Sequence, residues 1–154
     1  MQLITVNLDR CVGCQNCERA CAFAQAGDFN VKNSNIRVGV YPEERCCLPL
    51  TCFQCEDAPC MEICPAGAIT RTRESNAVQI NAQKCVGCKM CMLACPFGNI
   101  HFDAEKHVSQ KCDLCGGDPQ CIKFCVSRAL EFVDVQDAYA FKRFSARSKL
   151  KGSV

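Results

Sequence analysis

Apolar positions along the chain gather in short stretches and never in long runs. Leu3–Asn7 alternates apolar and polar with the period of two that a half-buried strand requires, and Ala129–Val133 reads as another strand. Ala68–Arg71 and Ala77–Ile80 flank Glu74-Ser75-Asn76, a pattern that predicts a hairpin. Ile100–Asp103 and His107–Gln110 form a similar pair. The predicted helices are as short, over Gln15–Ala24 and Lys89–Ala94. Pro65 and Pro96 end the helices before them, since a proline ring has no N–H to continue the ladder. Residues 22–51 carry Gly27, Asn33-Ser34-Asn35 and Pro42 and read mostly as loop, with one strand at Ile36–Tyr41. Asp134–Leu150, rich in Ala, Lys and Arg, reads as a helix that Gly152 and Ser153 end. No apolar run approaches the ~20 residues of a membrane span.

Elements this short need something to pack around, and composition does not supply it. Apolar residues are 49% of the 154, but 18 of them are Cys, aromatics are 7% and Trp is absent. In small, thin-cored domains disulfides or metals do the work of side-chain packing. Met1–Arg10 has neither the charged start and apolar core nor the cleavage site of a secretory leader, so a soluble, cytoplasmic protein is expected. Export on a signal-bearing partner stays open. The formal charge of +2 counts thiols as neutral. Thiols that ligate metal are deprotonated outright, so a metal-loaded form would be acidic. Such a balance gives no reason to expect nucleic acid.

Sixteen of the cysteines fall into four runs. Cys11, Cys14, Cys17 and Cys21 are spaced C-x2-C-x2-C-x3-C, and Cys85, Cys88, Cys91 and Cys95 repeat that spacing. Cys52, Cys55, Cys60 and Cys64 widen the middle gap, as do Cys112, Cys115, Cys121 and Cys125. The first and third runs share C-V-G-C-x-x-C-x-x-A-C; the second and fourth share an acidic residue and a proline in the wide gap, Asp57 and Pro59, Asp118 and Pro119. The order A, B, A′, B′ reads as a duplication of a two-cluster ferredoxin unit.

The spacing suits a cubane cluster. Two-residue gaps let a tight loop set three thiolates around one face with backbone N–H groups turned toward the sulfides, and the fourth ligand comes from elsewhere. In the run C-x2-C-x2-C-x3-C-P the fourth cysteine serves the other cluster of a pair, and Cys95-Pro96 matches it. Structural zinc prefers two separated C-x2-C knuckles. No phosphate loop, dinucleotide fingerprint or nucleophile triad is legible, and saturated clusters leave no iron open to substrate, so no catalytic residue is assigned.

With these runs, the Cys52–Cys60 stretch C-x-x-C-E-D-A-P-C and Lys111-Cys112-Asp113-Leu114-Cys115, residues 1–133 resemble a known family. It comprises the four-cluster, ferredoxin-like electron-transfer subunits that accompany molybdenum or tungsten pterin enzymes such as formate dehydrogenases and aldehyde oxidoreductases. Related subunits serve carbon monoxide dehydrogenase and hydrogenases. Val126 departs from the proline usual after the fourth run. The resemblance implies an α+β fold of two interlocked ferredoxin-like 2[4Fe–4S] units, with short strands and helices wrapped around four clusters. It implies a large catalytic oxidoreductase subunit as partner, with a further redox subunit or a second copy of the complex beyond it. It also implies nested pairing, with each run's fourth cysteine crossing to its pair-mate. One cluster then takes Cys11, Cys14, Cys17 and Cys125, and its mate Cys112, Cys115, Cys121 and Cys21. A third takes Cys52, Cys55, Cys60 and Cys95, and the last Cys85, Cys88, Cys91 and Cys64. Consecutive pairing, first run with second, is the simpler reading of the duplication order, but the twenty residues Pro65–Lys84 fit the hairpin of one unit, whereas the thirty of 22–51 are too long for it. Unit one is then 1–21 plus 104–133, unit two 52–103, with insertion 22–51 and tail 134–154. A free polyferredoxin and a non-redox zinc module remain as alternatives.

Outside the runs, Cys46 and Cys47 read as small buried residues of the insertion, or as a spare ligand or redox-active thiol. His101 and His107 read as surface strand residues. Tyr139, Phe141 and Phe144 on the tail, with Lys142, Arg143, Arg147, Lys149 and Lys151, read equally as a helix packed on its own domain or docked on a partner.

Overall fold

In the computed structural model, which describes residues 2–137, twelve short helices and strands are joined by tight turns. In order they are β1 (Gln2–Val6), α1 (Asn16–Ala26), β2 (Arg37–Tyr41), β3 (Cys46–Leu50), α2 (Pro59–Glu62), β4 (Ile69–Arg71), β5 (Val78–Ile80), α3 (Met90–Ala94), β6 (His101–Asp103), β7 (Val108–Gln110), α4 (Gln120–Lys123) and β8 (Leu130–Asp134). The strands pair only in twos, as β1-β8, β2-β3, β4-β5 and β6-β7, all antiparallel. A two-stranded ribbon is marginal by itself, so this small mixed fold depends on what the ribbons enclose.

Three of the ribbons are local hairpins. The fourth joins the two ends of the described chain, placing Ile4 opposite Phe132 and Val6 opposite Leu130. α1 packs against α4 beside that ribbon. One apolar core therefore gathers Ile4, Leu114 and Leu130 with Cys17, Cys21, Cys112 and Cys121. The other gathers Ala58, Ile69, Val78 and Ile100 with Cys60 and Cys91. Cysteines are interleaved through both.

The helices end where local chemistry dictates. Ala22 stands where the third run has Pro96, so α1 continues past Cys21 until Gly27 takes φ 76° and its N–H closes on the Phe23 carbonyl at 2.8 Å. α3 stops at Ala94, and Cys95 is already extended ahead of Pro96.

The insertion differs from its sequence reading. It holds a hairpin of two strands, β2 and β3, where one strand was expected. Pro49 and the Cys-Cys pair hide β3 from an alternation test, yet Pro49 is accommodated because a two-stranded ribbon has a free edge. Val38 N–H donates to Glu18 Oε1 at 3.0 Å, which pins the hairpin to α1. Ile36 is 1% exposed and joins the first core. Asp134 ends β8, and its side chain accepts from Gln136 N–H at 3.1 Å where residues 135–137 turn helical; the rest of the expected tail, with Tyr139, Phe141 and Phe144, lies outside the described residues. No helix among the described residues is long and apolar enough to cross a membrane.

Candidate metal centres

The duplication seen in the cysteine spacing extends to the backbone. In the first run Gly13 and Gln15 take φ 67° and 60°; in the third, Gly87 and Lys89 take 69° and 63°. These left-handed residues curl each loop before its helix begins. At Gly87 a side chain is excluded twice over, because a Cβ would also lie 2.9 Å from the His107 carbonyl oxygen. The second and fourth runs turn through Gln54 (φ 52°) and through Leu114 and Cys115 (φ 60° and 49°). In both, the N–H two residues on donates to the first cysteine's sulfur: Gln54 to Cys52 Sγ and Leu114 to Cys112 Sγ, each at 3.4 Å. Four residues past the last cysteine another N–H does the same, Ala68 to Cys64 Sγ at 3.3 Å and Ala129 to Cys125 Sγ at 3.2 Å. The turn after that cysteine recurs as well. Gly67, Gly98 and Arg128 close on the carbonyls of Cys64, Cys95 and Cys125 at 3.2, 3.2 and 3.1 Å. Val126 therefore does not change the chain path beside Cys125.

The thiols come together in sets that mix two runs. One cavity is lined by Cys52, Cys55, Cys60 and Cys95. Another is lined by Cys64, Cys85, Cys88 and Cys91. A third is lined by Cys21, Cys112, Cys115 and Cys121. Cys14 and Cys125 are charged neighbours of both Cys11 and Cys17. The sets also adjoin one another, since Cys17 acts on Cys121 and Cys52 on Cys112.

The donor chemistry fits an iron–sulfur body. All eighteen cysteines are free. Burial, with help from the Glu18 charge, pushes the Cys17 thiol up to about 12. Burial pushes Cys112 up to about 11 against hydrogen bonds from Thr51 and Leu114. Cys121 is raised too, first by burial and then by Cys112 and Cys21. Thiols so placed keep their protons until a soft cation displaces them. Among the described residues no three His, Cys, Asp or Glu side chains converge to the spacing of a single metal ion. The thiols stand around the cavity walls, with N–H groups directed at sulfur.

Other residues have roles that spacing did not reveal. Gln54 is fully buried; its Nε2 donates to the Cys112 carbonyl at 2.9 Å and its Oε1 accepts from Val78 N–H at 2.8 Å. Lys111, also buried, holds the same two residues: its Nζ donates to the Cys112 carbonyl at 2.8 Å and to the Val78 carbonyl. The available signal was a long polar side chain inside or beside a cysteine run. Cys46 and Cys47 lie half-buried on β3 rather than fully buried in a loop. Cys47 Sγ sits over Gly13, 2.7 Å from where a Cβ would be, and adds to the rise of the Cys11 thiol. His101 is half-buried on β6, its pKa lowered by burial and then by Arg37. His107 occupies the turn after it, at φ 55°, with Phe102 edge-on at 5.9 Å. Neither histidine lines any of the three cavities.

Residues 44–135 match the model of the 4Fe–4S dicluster domain, and residues 8–24 that of a 4Fe–4S binding domain. An iron–sulfur protein of Rhodospirillum rubrum is 34% identical, the match covering 96% of this chain and 89% of that protein. The polyferredoxin-like subunit of an aliphatic sulfonate oxidoreductase from Pyrococcus furiosus is 38% identical over 79% of this chain and 70% of its own. Formate hydrogenlyase subunit 2 of Escherichia coli is 34% identical over 82% and 79%. Two other Escherichia coli relatives are far longer, and the chain spans only 22% and 24% of them. Among solved structures, a chain of the active-site complex BamBC of benzoyl coenzyme A reductase matches with a TM-score of 0.50 and 21% identity, over 96% of this chain and 90% of that one. At that identity the likeness is one of fold.

Proposed function

Because the chain belongs to the family of iron–sulfur electron-transfer proteins built on the 4Fe–4S dicluster domain, we propose that it holds four [4Fe–4S] clusters and relays single electrons between a catalytic oxidoreductase subunit and another redox partner. The observation that carries this reading is the sorting of the thiols into sets of three from one run and one from another. Cys11, Cys14, Cys17 and Cys125 would hold one cluster, and Cys112, Cys115, Cys121 and Cys21 its mate. Cys52, Cys55, Cys60 and Cys95 would hold the third, and Cys85, Cys88, Cys91 and Cys64 the fourth. The β1-β8 ribbon and the α1–α4 packing support two interlocked units, the first from 1–21 and 104–133 and the second from 52–103. The neighbour relations Cys17 to Cys121 and Cys52 to Cys112 support an order along the wire of first, fourth, second and third run.

When bound, such clusters store and release one electron each, at potentials set by nearby charge, hydrogen bonds to sulfur and burial. The protein's own work is to hold the thiols, direct N–H groups at them and exclude water. The chain itself is non-catalytic in this reading, and the partner is a molybdenum or tungsten pterin subunit. Apolar side chains stand exposed beside the ligands, among them Val12 at 67%, Val86 at 68% and Val126 at 71%, as surface a docked partner would cover. Anaerobic purification from the native source tests the assignment. A large oxidoreductase subunit should co-purify in fixed ratio, and its substrate should reduce the clusters. Recovery of the chain alone, with full cluster content, would make it a mobile polyferredoxin instead.

A further inference from the structure

Among the described residues only two charged side chains are buried, Glu18 at 6% exposure and Lys111 at 5%. Their signs are opposite: Glu18 sits beside Cys17, while Lys111 lines the second-run cavity and also donates to the carbonyl of Cys112, a member of the fourth-run set. Glu18 follows Cys17 on α1, and both are buried. Lys111 lines the cavity of Cys52, Cys55, Cys60 and Cys95.

Both charges are held by backbone rather than by each other. Glu18 Oε1 accepts from Val38 N–H at 3.0 Å. The Lys111 ammonium gives two of its three N–H donors to the carbonyls of Val78 and Cys112. None of the ion pairs found among the described residues includes it. A buried ammonium with no anion is costly, and a counter-charge beside it offsets that cost. The cavity that Lys111 lines supplies negative charge once its thiols have become thiolates.

We propose that these two buried charges grade the reduction potentials along the chain, Lys111 raising that of the Cys52, Cys55, Cys60 and Cys95 site and Glu18 lowering that of the Cys11, Cys14, Cys17 and Cys125 site. The proposal rests on the four-cluster reading above. Reduction adds one electron, supplied by the redox partner, and no bond forms or breaks. The added negative charge is stabilised by a nearby ammonium and opposed by a nearby carboxylate. Both effects are strong because both groups are buried, where the effective dielectric is low. Glu56 and Asp57, next to Cys55, are exposed, and water and salt screen them. Electrons would thus be drawn from the first-run site toward the second-run site, near the middle of the wire. Lys111 and Glu18 are not among the thiol ligands and act on the sites through charge alone.

The test is a mediated redox titration of the anaerobically purified full chain, followed by electron paramagnetic resonance. Signals are assigned to sites with Cys60→Ser, Cys17→Ser and Cys91→Ser. Lys111→Gln, which keeps a hydrogen-bond donor and removes the charge, should shift the second-run signal to lower potential and leave the third-run signal in place. Lys111→Arg should restore it. Glu18→Gln should shift the first-run signal upward. Where Lys111→Gln loses its cluster, Lys111→Met and Glu18→Gln decide by the same signs. Iron and sulfide are measured on every sample. Fewer than four clusters in the unsubstituted chain overturns the four-cluster reading. Four clusters with unmoved or oppositely moved potentials overturns the charge assignment alone.

Discussion

Single residues decide how closely the cysteine loops can wrap. Gly13 and Gly87 hold equivalent places, yet a Cβ would meet different obstacles: the mobile Cys47 side chain at Gly13, the fixed His107 carbonyl at Gly87. Both substitutions with alanine carry the left-handed penalty of about 1–2 kcal/mol. Gly87→Ala should cost clearly more than Gly13→Ala, measured as loss of cluster absorbance in denaturant, and Cys47→Ala should relieve part of the Gly13→Ala defect only. Equal costs would mean that the contacts do not matter. The ligand sets make a second residue-scale prediction. Cys125→Ser should damage the cluster held by Cys11, Cys14 and Cys17, and Cys64→Ser the one held by Cys85, Cys88 and Cys91, read by iron content and electron paramagnetic resonance. A Cys64→Ser change that instead alters the first-run signal would mean consecutive pairing. The cysteines themselves were legible because ligand spacing is a local, one-dimensional signal. Lys111, Gln54 and Glu18 were not given roles, because their importance lies in burial against residues distant in sequence.

Among the elements, those with clean alternation or a flanking proline were legible. The hairpin β4-β5 and the hairpin β6-β7 form where the pattern places them, and β1 and β8 lie within a residue of their expected bounds. β3 was not legible: Cys46-Cys47-Leu48-Pro49-Leu50 has no alternation and contains a proline, and its stability comes from pairing with β2. The turn at 125–128 teaches the complementary lesson. Its hydrogen bond matches those at 64–67 and 95–98 although it has Val126 and Arg128 where they have proline and glycine. Val126→Pro should therefore be accepted and should stabilise by about 0.5 kcal/mol, by narrowing the unfolded ensemble. The check is the denaturation midpoint of the cluster-loaded protein, and a lowered midpoint would show that this turn is not equivalent to its counterparts.

At the scale of the molecule, the four two-stranded ribbons and two small cores of the described residues leave little to hold them together without metal. Few large side chains among the described residues are fully buried, Ile36, Leu114, Gln54 and Val78 being the largest. Binding free energy at the thiols should then be much of the folding free energy. Oxidative chelation of the iron should collapse the far-ultraviolet circular dichroism, whereas a cooperative, native-like melt of the cluster-free chain would contradict that view. The central claim, four cubane clusters in one chain, is met most directly by chemical analysis of anaerobically purified protein for iron and acid-labile sulfide. The account predicts about sixteen of each per chain. About eight of each, or zinc in place of iron with no sulfide, would contradict it.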